Sequence, residues 1–90
     1  MRKCIITVLG KDQVGIIARV CDYLAGANIN VLDISQTIVD GYFNMMMVVD
    51  VSAADRDFSV YAGDLSRLGE DIGLNIRCQR EEIFEKMHRL

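Results

Sequence analysis

The residues best placed to do chemistry form one short run, Gly10-Lys11-Asp12-Gln13-Val14-Gly15-Ile16. The apolar segment Cys4-Ile5-Ile6-Thr7-Val8-Leu9 stops at Gly10, three polar residues follow, and beyond Gly15 apolar residues recur at helical spacing. A strand, a short turn and a helix start, in that order, point free backbone N–H groups and the positive end of a helix dipole outward, which suits a carboxylate or phosphate. Gly15 leaves the helix start without a side chain, so a ligand can approach the backbone closely. Plain strand-to-helix connections look the same, so the turn by itself defines a candidate and no more.

Elsewhere the reactive residues are sparse. Cys4, Cys21 and Cys78 are widely spaced in apolar surroundings, no CxxC occurs, and the one histidine, His88, is remote from them. They are expected to be free core thiols of a reducing, cytoplasmic protein, with no disulfide, metal or other cofactor. No nucleophile–base pair is visible, so no catalytic residue is assigned. The composition agrees with a small binding module. The 90 residues are 51% hydrophobic and carry a net charge of −3, with Lys and Arg scattered among acids, which argues against a nucleic-acid surface. No apolar run approaches the ~20 residues of a membrane span, and the strand-like start does not read as a signal peptide. One domain over residues 1–90 is expected, with a core over 3–80 and a helical tail over 81–90. Self-association would help a core this small.

The elements that must position the loop can be read in order. The first strand, Lys3–Leu9, is apolar on both faces, as expected of a central strand. The first helix is predicted from Val14 to Ala27, with Ile16 or Ile17, Val20, Leu24 and Ala27 as its buried stripe, Asp12 as N-cap and Gly26 as a left-handed stop. Asp40-Gly41 is a type I′ hairpin signal. If it is the whole turn, residues whose numbers sum to 81 face each other. One face then carries Ile38 with Phe43, Gln36 with Met45, Ile34 with Met47 and Leu32 with Val49; the other, from Val39 with Tyr42 to Val31 with Asp50, is mixed. The first face is predicted to be covered and the second more open. Met45-Met46-Met47 alternate sides in such a strand and cannot converge on one ion, so they read as core filling. A second helix follows over Asp57–Ile72, capped by Asp55 or Asp57 and ended by Gly73, and a fourth strand over Asn75–Gln79. The tail, Glu81–Leu90, places Ile83, Phe84, Met87 and Leu90 on one side and must dock to persist as a helix.

The order is βαββαβ plus a tail helix, and Gly26-Ala27-Asn28-Ile29 is echoed by Gly73-Leu74-Asn75-Ile76. Two related βαβ halves in one antiparallel sheet make an α+β, ferredoxin-like sandwich with two helices on one face. That fold serves many functions, so the residues must choose. The first strand lacks the aromatics of an RNA-recognition module, and the first loop lacks the cysteines of a copper carrier. An acylphosphatase-like hydrolase is a sharper rival: Gln13, Gly15 and Arg19 loosely mimic its phosphate loop, but Val14 intervenes and the only strand-two asparagine is Asn30, at the strand's start.

The run from Ile5 to Val20, followed by Leu24-Ala25-Gly26-Ala27-Asn28-Ile29-Asn30-Val31, resembles the ACT domain, a small regulatory module that binds amino acids. The resemblance covers residues 3–80; Val14 stands where the family usually has proline. Asp33-Ile34-Ser35-Gln36-Thr37, Tyr42-Phe43-Asn44-Met45-Met46 and the Ile83-Phe84-Glu85 tail resemble, more narrowly, the small stand-alone bacterial ACT-domain proteins related to the glycine cleavage regulator. The resemblance implies a non-enzymatic homodimer, with copies joined strand to strand or helix to helix, that binds an amino acid at the subunit interface to control a partner. By position it places Gly10, Asp12, Gln13, Val14, Gly15 and Ile16 on one side of that ligand and Asn28, Ile29 and Asn30 on the other. The amides of Val14, Gly15 and Ile16 suit its carboxylate, Asp12 its ammonium, and the two asparagines supply donors and acceptors. The alternative is a ligand-free interaction module made of the dimer and the tail helix.

Overall fold

The protein is described over residues 1–87 from a computed structural model. Its elements run β1 (Lys3–Lys11), α1 (Ile16–Gly26), β2 (Asn30–Val39), β3 (Tyr42–Asp50), α2 (Phe58–Ile72), β4 (Asn75–Arg80) and α3 (Glu81–Met87). The strands form one antiparallel sheet in the order β2-β3-β1-β4, the expected ferredoxin-like arrangement. His88, Arg89 and Leu90, the end of the expected tail helix, lie outside the described residues.

The core lies between the sheet and the paired helices. Ile6 and Val8 of β1, Met45, Met47 and Val49 of β3, Val20 and Leu24 of α1 and Leu65 of α2 are fully buried in one cluster. Each such side chain is worth about 1.5–3 kcal/mol of transfer free energy. Met46 points the other way and is exposed. Ile5 also faces away from that cluster yet is only 6% exposed; α3 is in contact with β1 and β4 and lies against this part of the molecule.

The hairpin follows the predicted register from Val39↔Tyr42 to Asp33↔Val48, and Asp40 (φ 53°) and Gly41 (φ 80°) are both left-handed, as a type I′ turn requires. Below Asp33 the register shifts at a bulge, so that Val31 faces Val49 and Asn30 faces Asp50. Leu32 is therefore the extra residue rather than the partner of Val49. A larger correction concerns cover. The predicted apolar face is buried on β3, at Phe43, Met45, Met47 and Val49, but on β2 Ile34 stays 40% and Ile38 55% exposed. β2 is an edge strand, and no residue of it is fully buried.

Both helices end the same way, at positions the sequence echo does not align. In α1 the Ile29 N–H donates to the Leu24 carbonyl and the Asn28 N–H to that of Ala25. In α2 the Leu74 N–H donates to the Gly69 carbonyl and the Gly73 N–H to that of Glu70. Each pair forms a Schellman motif, with Asn28 (φ 59°) or Gly73 (φ 75°) as its left-handed residue. Gly26, expected to be the left-handed stop, is instead the last residue of α1. Asparagine can take that role because its short polar side chain tolerates the conformation and finds a local partner.

Candidate functional site

The loop between β1 and α1 is held on three sides. Gly10 sits where an added Cβ would stand 2.4 Å from Leu74 Cδ2 and 3.4 Å from the Leu74 Cα, so its missing side chain admits the start of β4. The Asp12 N–H donates to the Gly41 carbonyl (2.9 Å), tying the loop to the hairpin. Gln13 Nε2 donates to the Ile72 carbonyl (2.8 Å), satisfying a carbonyl at the C-terminus of α2. Between these anchors Val14 is wholly exposed, at 101%.

The start of α1 differs from its prediction. The helix begins at Ile16, not Val14, and its N-cap is Gly15 in the left-handed conformation (φ 87°) with no side-chain cap. Asp12 is therefore not the cap; its exposed carboxylate has no hydrogen bond or ion pair among the described residues. The first amide to bond within this turn is that of Arg19, to the Gly15 carbonyl (3.0 Å). The N–H groups of Ile16, Ile17 and Ala18 thus lack an intrahelical acceptor, and a Cβ built on Gly15 would meet only open space. Open donors at the positive end of a helix beside a free carboxylate can engage a small molecule carrying both an anion and a cation. The Ile16 side chain is core, and only its backbone is available.

Asn28, Ile29 and Asn30 stand at the opposite end of the sheet. Asn30 pairs with Asp50 and Gly10 with Phe43, a separation of about 23 Å along β3 at ~3.3 Å per residue. The Asn28 Nδ2 donates to the Ala53 carbonyl (2.8 Å), Ile29 is buried, and Asn30 is exposed. A shallow cavity of about 230 Å³ lies beside them. Within one chain, then, the two halves named by the sequence do not meet. The same distance removes the acylphosphatase-like alternative: Asn30 cannot position water at the first loop, and the Gln13 amide is already engaged with Ile72.

Sequence reading missed two features. The outer sides of α1 and α2 are latched: the Tyr23 hydroxyl donates to Asp64 Oδ2 (2.6 Å), Arg67 pairs with Asp64 (2.8 Å), and Arg56 lies over the Tyr23 ring (5.6 Å). Hydrogen bonds from Tyr23 and Arg67 hold the Asp64 carboxyl below its usual range, while burial and then Asp64 raise that of Tyr23. Tyr23, Arg56 and Asp64 are half-buried and Arg67 is exposed, and as polar groups outside the apolar stripes they carry no periodic signal. The second is a cavity of about 840 Å³ at the β1 start, whose walls include Cys4, Tyr61 and Arg80. They come from three elements, so spacing along the chain could not disclose it. Among the described residues, no cluster of His, Cys, Asp or Glu could hold a metal ion, and no helix is long and apolar enough to cross a membrane.

Comparison with known proteins places this geometry. The ACT domain family model matches residues 2–79. A UPF0237 protein of Bifidobacterium longum is 69% identical over 90 residues, all of both chains. The solved ACT domain protein of Streptococcus pneumoniae is 42% identical and superposes with a TM-score of 0.81 over 93% of this chain and 94% of that one. A protein described as a glycine cleavage system transcriptional repressor shares the fold at 23% identity and a TM-score of 0.77, over 88% of this chain and 45% of that one. The chain belongs to the ACT domain family, as a small regulatory domain and not an enzyme.

Proposed function

We propose that two copies join edge to edge through β2, and that an amino acid binds where the first loop of one copy meets Asn28–Asn30 of the other, regulating a partner protein in the cytoplasm. The observation that carries this reading is the edge itself. β2 is ten residues long, has one strand neighbour, and exposes Ile34 and Ile38. Long uncovered edges favour pairing with another strand. An antiparallel β2–β2 pairing about a two-fold axis sets the Asn30 end of one copy beside the Val39 end of the other. That end carries the hairpin to which Asp12 is bonded, so the pairing brings together halves that one chain holds about 23 Å apart. The open amides of Ile16–Ala18 then take the ligand carboxylate, Asp12 its ammonium, and Asn30 a remaining polar group.

Light scattering at micromolar concentration should give a dimer mass, and a thermal-shift screen of the twenty amino acids should raise the melting temperature with at least one of them. A clean monomer would sink the arrangement. A dimer that no amino acid stabilises at millimolar concentration would instead support a ligand-free interaction module. That second reading is favoured by the structural employment of Gly10, Gln13 and Asn28 in packing and backbone hydrogen bonds.

A further inference from the structure

The cavity at the β1 start lies at the other end of the strand from the first loop, and its chemistry is different. Cys4 faces the core from β1, opposite Arg80 on β4, while Cys78 is opposite Ile6. The two thiols are therefore diagonal neighbours on one face of adjacent strands. Cys4 Sγ also lies 3.6 Å from the Tyr61 hydroxyl. Cys4 is 1% exposed, yet it lines the 840 Å³ cavity, so what is open of it opens there. That volume is in the range of small-molecule sites. The same cavity wall carries Arg2, Arg80, Glu82 and Glu85, with the Arg80 guanidinium 4.5 Å from the centre of the Phe58 ring. A thiol set among cations, acids and an aromatic wall suits a partner carrying carboxylate, ammonium and sulfur.

We infer that Cys4 is a thiol-exchange site: it accepts, as a mixed disulfide, one half of the disulfide of a small amino-acid thiol held in this cavity. The Cys4 thiolate attacks one sulfur of the incoming disulfide, that S–S bond breaks, and the Cys4–S–S–R bond forms. The departing thiolate takes up the proton that Cys4 gave to solvent, so the incoming disulfide is the only oxidant the step needs. Several neighbours favour the thiolate. Hydrogen bonding from Cys78 lowers the Cys4 pKa most; the Tyr61 hydroxyl, Arg80 and Arg2 add to it and outweigh burial, bringing it to about 7. Cys78, pushed up by its bond to Cys4 and by burial, stays protonated as the donor.

The experiment uses the full chain carrying Cys21→Ser, treated with cystine or with the neutral hydroxyethyl disulfide, quenched in acid and weighed intact by mass spectrometry. One half-cystine on Cys4 is expected, forming at least about tenfold faster than the neutral adduct, the worth of one charge-assisted hydrogen bond. The rate should rise with pH as Cys4 ionises, and Arg80→Ala should erase the preference for cystine, slowing the cystine reaction more than the neutral one, which loses only the help Arg80 gives the thiolate. No adduct on the folded chain, an equal rate for the two reagents, or a Cys4–Cys78 disulfide in place of the adduct would overturn the assignment. Because Cys4→Ala removes a core residue, the decisive readings come from chains that keep Cys4.

Discussion

Strands β1 and β2 belong to the same sheet and are both rich in apolar residues, but they end up in opposite environments. β1 buries Cys4, Ile5, Ile6 and Val8, whereas β2, with Val31, Leu32, Ile34, Ile38 and Val39, buries none fully. The difference lies in neighbours. β1 has β3 on one side and β4 on the other, the helices above and α3 beside it, while β2 has only β3. Apolar content made both of them strands; place in the sheet decided which one is core. The apolar surface left on β2 is what the proposed pairing of two copies uses, and the buried side chains of β1 are what hold one copy together.

Substitutions can break or sharpen this contrast. The largest effect is expected from Ile6→Ala in β1, which empties a fully buried position and should cost roughly 2–5 kcal/mol in urea unfolding. Gly10→Ala comes next. Its Cβ would press on Leu74, and a loss of roughly 1–3 kcal/mol is expected, partly recovered when Leu74 is also shortened. At the entry to β2, Asn28→Ala forces alanine into the left-handed conformation and unpairs the Ala53 carbonyl. It should lower stability by about 1–2 kcal/mol, and Asn28→Gly by less, since glycine keeps the backbone free of strain. The smallest effect belongs to Ile38→Ala, within about 0.5 kcal/mol for dilute monomer. If β2 edges pair, the same change must lower the concentration-dependent part of the melting temperature. An Ile38→Ala chain that melts like its parent at every concentration would return β2 to being an idle edge.

Much of this protein is legible one residue at a time. Alternation and helical spacing name the strands and helices because side-chain direction is a local consequence of backbone geometry. Asp40-Gly41 fixes the hairpin register as far as Asp33 for the same reason: a two-residue turn leaves no freedom until a bulge adds a residue. The run from Gly10 to Ile16 likewise announces an open helix start. It does not announce that Gly15 rather than Asp12 caps the helix, or that Gln13 reaches across to Ile72. Those contacts depend on where α2 ends in space.

What the sequence determined by itself was the order of elements, the hairpin and the kind of loop that begins α1, each set by neighbours within a few residues. Tertiary structure alone decided three other things. It left most of β2 exposed because β2 is the sheet edge, with β3 as its one strand neighbour. It parted Gly10–Ile16 from Asn28–Asn30, because parallel strands separated by β3 start at the same end and a loop leaves from the other. It gathered Cys4, Tyr61 and Arg80 around one cavity, because β1, α2 and β4 meet there although 57 residues of chain separate Cys4 from Tyr61. Sequence spacing carries no record of such meetings, since long-range contacts are chosen by how layers pack and not by any local rule.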